Sequence, residues 1–145
     1  MEPRESLVRF FLLKTEPSEY SFDDLLREGL TKWDGVKNPL AQKHIGSMEV
    51  NDVCFIYHTG NEKSIVGIAK VKSSPYCVDG FWVVDISPEG RFKKNIPLKE
   101  LKSREEFRES LLVRMPRLSV IALTKEQARL VLLLGDGDLS LLNEG

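Results

Sequence analysis

One stretch of the sequence decides the class of fold: VCFIYHTGNEKSIVGIAKVK, residues 53–72. Val53–His58 and Ser64–Lys72 are short runs rich in β-branched and other apolar residues, and each predicts a β-strand. Turn residues fill the segment between them, Thr59-Gly60-Asn61-Glu62. Because no helix separates the two strands, the chain is not built from alternating βαβ units. The stretch therefore favours an α+β fold.

Further strands are predicted on either side of this stretch. Val8–Leu13 is apolar apart from Arg9, which suits a strand that is buried on both faces. The others are Phe81–Ile86, Arg91–Ile96 and Leu118–Leu123. About five or six short strands in a chain of this size predict a compact mixed β-barrel with short helices at its periphery.

The helices are predicted from their end signals. Ser21–Asp24 resembles a capping box for a short helix that ends near Gly29, and Thr124–Gln127 is a capping box for a last helix that ends at Leu134. The remaining predicted helices are Asn38–Met48, Leu98–Lys102 and Glu105–Leu111, the first with Asn as N-cap and Pro at the first helical position.

The length of 145 residues predicts a single domain, residues 1–145, with its core in about residues 9–134. Thr31–Lys37 is interpreted as an irregular loop, and residues 135–145 as a flexible tail. Met1–Arg9 has no long apolar region, so no signal peptide is predicted. No apolar run approaches the ~20 residues that span a membrane. The expected location is the cytoplasm, or the nucleus in a eukaryote.

The composition argues against several functional classes. A net charge of −1 is unlike that of a protein that coats nucleic acid regardless of sequence. Cys54 and Cys77 form no C-x-x-C pair, and the two histidines, His44 and His58, form no metal signature, so we expect free thiols, no metal and no cofactor. The sequence contains no Gly-rich dinucleotide or P-loop motif.

The segment Trp33-Asp34-Gly35-Val36-Lys37-Asn38 has the chemistry of a binding site. An aromatic face beside hydrogen-bond donors and acceptors is suited to a planar heterocycle, which stacks on the ring and is read at its edge. The alternative is that Trp33 anchors the loop to the core and Asp34 caps a turn. An enzymatic interpretation would use Lys14, Glu16 and His58, but no nucleophile motif accompanies them, and we predict that the chain is not an enzyme.

Residues 91–104 form a basic segment, with six lysines and arginines against Glu100. It is either a solvated face, balanced by the glutamates that follow it, or part of a surface that faces phosphates. The expected phosphate rim comprises Lys37, Lys43, Lys63, Arg91, Lys93 and Lys94.

Four segments, in this order, resemble the EVE domain family, a relative of the PUA-like and YTH-type barrels. They are Phe11–Pro17, Trp33–Asn38, Phe55–Gly60 and Arg117–Val120, with Val66–Val71 and Pro75-Tyr76 between them. The chain departs from the family pattern at Lys37, where Arg is common, at Gln42-Lys43, where Arg-Asn is common, and in the short Cys77–Gly80 loop.

The resemblance implies a PUA-like barrel whose pocket accepts a flipped-out base, with modified cytosine in DNA as the best-supported ligand and no catalytic residue or metal. It implies the pocket residues Lys14, Glu16, Trp33, Asp34, Gly35, Val36, Asn38, Tyr57, His58, Thr59, Arg117, Leu118 and Ser119. The chain is thus predicted to read modified DNA. The alternatives are a domain that binds structured RNA, a small-molecule-binding protein and a nucleoside-processing protein.

Overall fold

The computed structural model describes residues 8–143, and within that range the chain forms seven strands and five α-helices. The strands are β1 (Phe10–Thr15), β2 (Thr31–Trp33), β3 (Val53–His58), β4 (Ser64–Val71), β5 (Tyr76–Val78), β6 (Phe81–Pro97) and β7 (Val120–Leu123). The helices are α1 (Phe22–Glu28), α2 (Pro39–Gly46), α3 (Leu98–Lys102), α4 (Leu111–Arg114) and α5 (Lys125–Leu134), with 3₁₀ turns at Glu105–Phe107 and Leu139–Asn143.

The strands make one curled, mixed sheet, a half-barrel with the short helices around it. The strand order is β2-β6-β4-β3-β1-β7, and β5 pairs with the beginning of β6. β1 and β3 are parallel, from Phe10 opposite Val53 to Thr15 opposite His58. The other strand pairs of the described chain are antiparallel. This architecture confirms the predicted α+β class.

The core lies on the two central strands. All six residues of β3 are buried, as are Phe10–Leu13 of β1. The rings of Phe10 and Phe55 stack with their centroids 6.0 Å apart. Because β1 and β3 are parallel, their carboxyl ends meet at one edge of the sheet, and the polar residues that follow them come together there.

The two strands predicted at Phe81–Ile86 and Arg91–Ile96 are one strand, β6. The residues between them, Ser87-Pro88-Glu89-Gly90, suggest a turn, but β6 continues to pair with β4 through register shifts. At one such shift Pro88 lies opposite Ala69, which is consistent with the confinement of proline to edges and bulges of a sheet.

The prediction of an irregular loop at Thr31–Lys37 is wrong for its first three residues, which form β2 against β6. Strand β5 was not predicted. It is joined to β6 by a two-residue turn in which Asp79 and Gly80 have φ of 52° and 85°. Positive φ at both positions is the signature of the tight type I′ turn, for which Asp-Gly is a favoured sequence.

Both predicted capping boxes are present, at Ser21 and at Thr124. Asn38 is the N-cap of α2, which ends at Gly46 rather than near Met48. The helix predicted over Glu105–Leu111 is instead a 3₁₀ turn followed by α4.

The interpretation of residues 135–145 as a flexible tail is wrong as far as Asn143. Leu141 and Leu142 are buried in the core, and a Cβ at Gly135 would lie 2.3 Å from the Phe92 ring. The glycines of this segment therefore allow close packing rather than flexibility. Glu144 and Gly145 lie outside the described residues.

In residues 8–143 the structure contains no helix of the length and apolarity that a membrane crossing requires. The same residues contain no group of three or more His, Cys, Asp or Glu side chains placed to hold a metal ion. Cys54 is buried and Cys77 exposed, and neither forms a disulfide. The absence of a signal peptide was predicted mainly from Met1–Leu7, which lie outside the described residues.

Candidate functional site

A cavity of about 380 Å³ lies where the end of β1 approaches β2, and we call it the first cavity. Its lining residues are Thr15, Tyr20, Thr31, Lys32, Trp33 and Asp34. Trp33 is 7% exposed and pairs with Val84 of β6. The Tyr20 ring meets the Trp33 ring edge-on, with centroids 6.1 Å apart and an interplanar angle of 79°. Two fixed aromatic side chains therefore line this cavity.

Tyr20 is held in place through both its backbone and its hydroxyl. Its carbonyl oxygen accepts a 2.7 Å hydrogen bond from Thr15 Oγ1, and its hydroxyl donates to Glu28 Oε1 at 2.6 Å. Burial, together with the bond to the Glu28 carboxylate, raises the pKa of Tyr20 to about 12. These bonds hold the Tyr20 ring in place beside the cavity.

The first cavity also presents charged groups that the fold does not use. Among the described residues, the side chains of Lys32 and Asp34 have no hydrogen-bond or ion-pair partner, and both are exposed. A cation, an anion and an aromatic wall can together hold a planar heterocycle by stacking and by bonds to its edge. The volume lies within the roughly 300–1,000 Å³ of small-molecule sites.

A second cavity, of about 230 Å³, lies beside the first and shares Asp34 with it. Its lining residues are Asp34, Gly35, Val36, Lys37, Val78, Asp79, Phe81 and Val83. Val36 and Val83 are buried, and the Phe81 ring is 37% exposed. Lys37 Nζ lies 5.9 Å from the centroid of that ring.

The β5–β6 hairpin is fastened to α2 by one side chain, that of Gln42. Its Nε2 donates to the carbonyl oxygens of Val36 at 2.8 Å and Trp82 at 3.0 Å, and its Oε1 accepts from the Trp82 N–H at 2.7 Å. The Trp82 ring lies against Gly46, where an added Cβ would be 3.1 Å from Trp82 Nε1. The walls of the second cavity are thus held together before any ligand arrives.

Four predicted or neighbouring polar residues at the ends of β1 and β3 form what we call the strand-end cluster: Glu16, His58, Thr59 and Glu62. His58 Nε2 accepts a 3.0 Å hydrogen bond from the Phe22 N–H, and Nδ1 lies 2.8 Å from Glu62 Oε1. Since Nε2 is an acceptor, the ring proton is on Nδ1 and is donated to Glu62. His58 joins α1 to the β3–β4 turn.

Glu16 completes the strand-end cluster. Its carboxylate accepts from the backbone and hydroxyl of Ser18 and from Thr59 Oγ1, at 3.2, 3.0 and 3.2 Å. The bonds from Ser18, with a smaller contribution from Thr59, lower the pKa of Glu16. No member of the cluster lines the first or the second cavity as the described residues form them. Glu16, His58 and Thr59 lie close together, but their polar atoms already bind one another or the backbone.

Lys14 and Tyr57 form a separate contact. Lys14 Nζ donates to the Pro116 carbonyl at 2.8 Å and lies 5.5 Å from the centroid of the Tyr57 ring. Burial lowers the pKa of Lys14. Tyr57 is 4% exposed. Lys14 therefore ties the end of β1 to the segment before β7.

The remaining predicted pocket residues have varied surroundings. Asn38 Oδ1 accepts from the Leu40 and Ala41 N–H groups at 2.8 and 3.1 Å, as the cap of α2. Leu118 is buried, Ser119 accepts the Lys14 N–H at its carbonyl, and Arg117 is exposed. Of the residues expected in one pocket, the structure brings Trp33 and Asp34 to the first cavity and Asp34–Val36 to the second.

The six residues of the expected phosphate rim are spread over several surfaces. Lys37 lines the second cavity, and Lys43 is exposed on α2. Lys63 lies in a separate groove with Lys99 and Lys102. The others lie on β6, where Arg91 pairs with Asp23, Lys93 Nζ is 3.9 Å from Asp136, and Lys94 bonds Gly135 through its backbone N–H.

Sequence reasoning gave no binding role to three residues that line the first cavity: Thr15, Tyr20 and Thr31. Tyr20 directly precedes the Ser21 N-cap, and Thr15 lies within the segment Phe11–Pro17, so both stood beside recognised signals. Their meeting with Thr31 and Lys32 depends on β2 pairing with β6, and β2 was taken for a loop.

The chain belongs to the EVE domain family, whose model matches residues 9–134. The fold is the PUA-like α+β fold of thymocyte nuclear protein 1, with which the chain is also homologous. The mouse thymocyte nuclear protein 1 is 28% identical over 167 residues, which cover 88% of this chain and 74% of the mouse protein.

Two solved structures show the same architecture. A Rhodopseudomonas palustris protein determined by NMR is 33% identical, with a TM-score of 0.83 and coverage of 89% of this chain and 94% of that one. Human thymocyte nuclear protein 1 in complex with DNA containing 5-methylcytosine is 25% identical, with a TM-score of 0.82 and coverage of 90% and 99%.

Proposed function

We propose that the chain is a reader of modified DNA that holds a flipped-out modified cytosine in the first cavity. The observation that carries the proposal is the pairing of the Trp33 and Tyr20 rings with the unpartnered Lys32 and Asp34 at one opening. The structural relative bound to DNA containing 5-methylcytosine supports this choice of ligand.

The chemistry of cytosine matches the groups around the first cavity. The Asp34 carboxylate accepts hydrogen bonds, and the exocyclic amino group of cytosine donates them. Trp33 and Tyr20 provide apolar surface for the ring and for a methyl or hydroxymethyl substituent. Lys32 carries a positive charge that suits a phosphate on the flipped strand.

Binding rather than catalysis is proposed because the groups that would act as acid or base are engaged in the fold. His58 uses both ring nitrogens, for Phe22 and for Glu62. Glu16 accepts from Ser18 and Thr59. Three further residues of the predicted pocket lie at the end of β1 and before β7: Lys14, Arg117 and Ser119. We propose that they hold the segments around the opening of the first cavity in place.

The decisive experiment is fluorescence-polarisation binding to short single- and double-stranded DNA with cytosine, 5-methylcytosine or 5-hydroxymethylcytosine at one position. We expect a preference for a modified base, and affinity that falls as salt rises. Asp34→Ala should lower the affinity for the modified strand about tenfold, as for the loss of one good base-edge contact of about 1–3 kcal/mol.

Glu126→Ala is the matched control, because Glu126 is an exposed carboxylate on α5 and lies outside both cavities. It should bind like the parent chain. Trp33→Phe keeps a ring in the wall and should weaken binding less than Trp33→Ala. Equal binding of modified and unmodified DNA, or tighter binding of matched structured RNA, would overturn the proposed ligand.

A further inference from the structure

The second cavity adjoins the first closely enough for one ligand to reach both. Asp34 lines both of them, and the chain passes directly from Trp33 in the first cavity to Gly35 in the second. At about 230 Å³ the second cavity is smaller than a typical site for a drug-sized ligand, and it suits a single planar group.

The second cavity has an apolar floor and a partly exposed aromatic ring. Val36 and Val83 are buried beneath it, whereas 37% of the Phe81 surface is exposed. A large aromatic ring left accessible beside a cavity offers a platform for a second ring. Lys37 Nζ lies over the Phe81 ring, 5.9 Å from its centroid, so a base that stacks on this ring displaces the cation or shares the ring with it.

The charged side chains around the second cavity restrict the kind of group that it can bind. Asp34 and Asp79 present carboxylates to the second cavity, so a phosphate does not suit its interior. A ring with an exocyclic amino group does, because carboxylates accept hydrogen bonds from such groups. The Lys37 ammonium, once a base takes its place over the ring, suits the phosphate that joins one nucleotide to the next.

The Phe81 platform is in place before binding. The Asp79-Gly80 turn holds Val78 opposite Phe81, and the Gln42 side chain fixes the backbone of the adjacent Trp82. A side chain presented on a short, clamped hairpin loses little conformational freedom when a ligand stacks on it.

We propose that the second cavity holds the base next to the modified cytosine, stacked on Phe81, so that the chain reads two consecutive nucleotides. This inference rests on the proposed function of the first cavity. It assigns Phe81, Lys37 and Asp79 to recognition of the flanking nucleotide, and it favours a flanking base with an amino group over thymine.

The test uses single-stranded DNA with one 5-methylcytosine and an abasic site placed in turn on its 5′ and 3′ sides. In the parent chain, an abasic site on one side should lower affinity about 5- to 150-fold, the range for loss of one base–aromatic stack. The DNA strand without an abasic site should bind Phe81→Ala about 5- to 150-fold more weakly than it binds the parent chain. In Phe81→Ala an abasic site should lower the affinity further by about twofold or less, because the substitution and the abasic site remove the same contact.

Leu133→Ala is the control, since Leu133 is 56% exposed on α5 and outside both cavities. It should keep the full abasic penalty. If methylcytosine is preferred but neither abasic site weakens binding, or Phe81→Ala keeps the penalty, the second subsite is refuted and the reader function stands. If no strand shows a preference for the modified base, the reader function itself fails.

Discussion

The strand-end cluster and the surface around the two cavities are both rich in polar side chains, but they use them in opposite ways. In the cluster, His58 is 5% exposed and bonds at both nitrogens, and Glu16 accepts three hydrogen bonds. The second region, which we call the open rim, consists of Lys32, Asp34, Lys37 and Phe81. Its members are exposed, and its charged groups form no ion pair among the described residues.

The difference shows which polar residues are available to a ligand. A buried polar group such as His58 must find partners within the fold, since leaving it unpaired costs about 1–3 kcal/mol, whereas Glu16 is only partly buried. An exposed group has water instead and can exchange water for a ligand. Glu16 and His58 have the residue types of an active site, but their bonds hold α1, the β3–β4 turn and the end of β1 together.

The largest expected effect on the free energy of unfolding comes from His58→Ala. The substitution leaves the buried Phe22 N–H without its acceptor and opens a void, and we expect a loss of about 2–4 kcal/mol. Urea unfolding followed by tryptophan fluorescence measures it. Binding of modified DNA by the folded variant should change much less than its stability, since His58 itself lines neither cavity.

A loss of DNA binding without a loss of stability in His58→Ala would contradict the division between a structural strand-end cluster and a ligand-binding open rim. It would place His58 in the binding site and remove the strand-end cluster from the framework of the fold.

A smaller effect is expected from Tyr20→Phe, at the junction of the two regions. The folded state raises the pKa of Tyr20 to about 12, above the roughly 10 of an unfolded tyrosine, so folding favours the protonated hydroxyl. This stabilisation is complete below about pH 10 and is lost as the pH rises from about 10 to 12. After solvent screening it amounts to about 1 kcal/mol.

Unfolding free energies measured between pH 9 and 12 should therefore fall less steeply in Tyr20→Phe than in the parent chain. Tyr76→Phe is an informative companion, because the bond to Asp85 raises the pKa of Tyr76 at an exposed position on β5. Identical alkaline slopes in Tyr20→Phe and the parent would show that the bond from Tyr20 to Glu28 does not constrain the first cavity.

The smallest effect on stability is expected from Lys37→Gln in the open rim. The Lys37 side chain is exposed and lies over the Phe81 ring, so the free energy of unfolding should change by less than about 0.5 kcal/mol. DNA affinity should fall, and the slope of log affinity against log salt should decrease by about one, as for the loss of one phosphate contact.

Lys125→Gln, on the exposed beginning of α5, removes the same charge elsewhere and should leave the salt slope unchanged. An unchanged slope in Lys37→Gln would mean that this lysine does not face a phosphate.

Local signals in the sequence predicted the parts of the fold that depend on neighbouring residues. The capping boxes at Ser21 and Thr124 and the bounds of β3 follow from short patterns, and the structure confirms them. The long strand β6 was divided in two because Pro88 and Gly90 suggest a turn, and only pairing with β4 reveals that the strand continues.

The candidate site was harder to predict because its members are separated by long stretches of chain. The segment Trp33–Asn38 was recognised from its composition, and Asp34 lines both cavities. Tyr20 and Phe81 carry no local signal of a binding role, because their places depend on the β2–β6 and β5–β6 pairings. The family resemblance implies a place for His58 in the pocket, and the sequence alone does not show that both of its ring nitrogens form hydrogen bonds.

The position of β1 between β3 and β7 has a consequence for synthesis of the chain. β1 begins at Phe10, whereas its partner β7 begins at Val120, so one side of this apolar strand stays unpaired until a segment far along the chain has been made. Pairings between residues so distant along the chain slow folding, and an uncovered apolar strand edge invites association with other chains. A nascent chain of this protein therefore carries the sequence FFLL with an open edge until the ribosome has released residues 120–123.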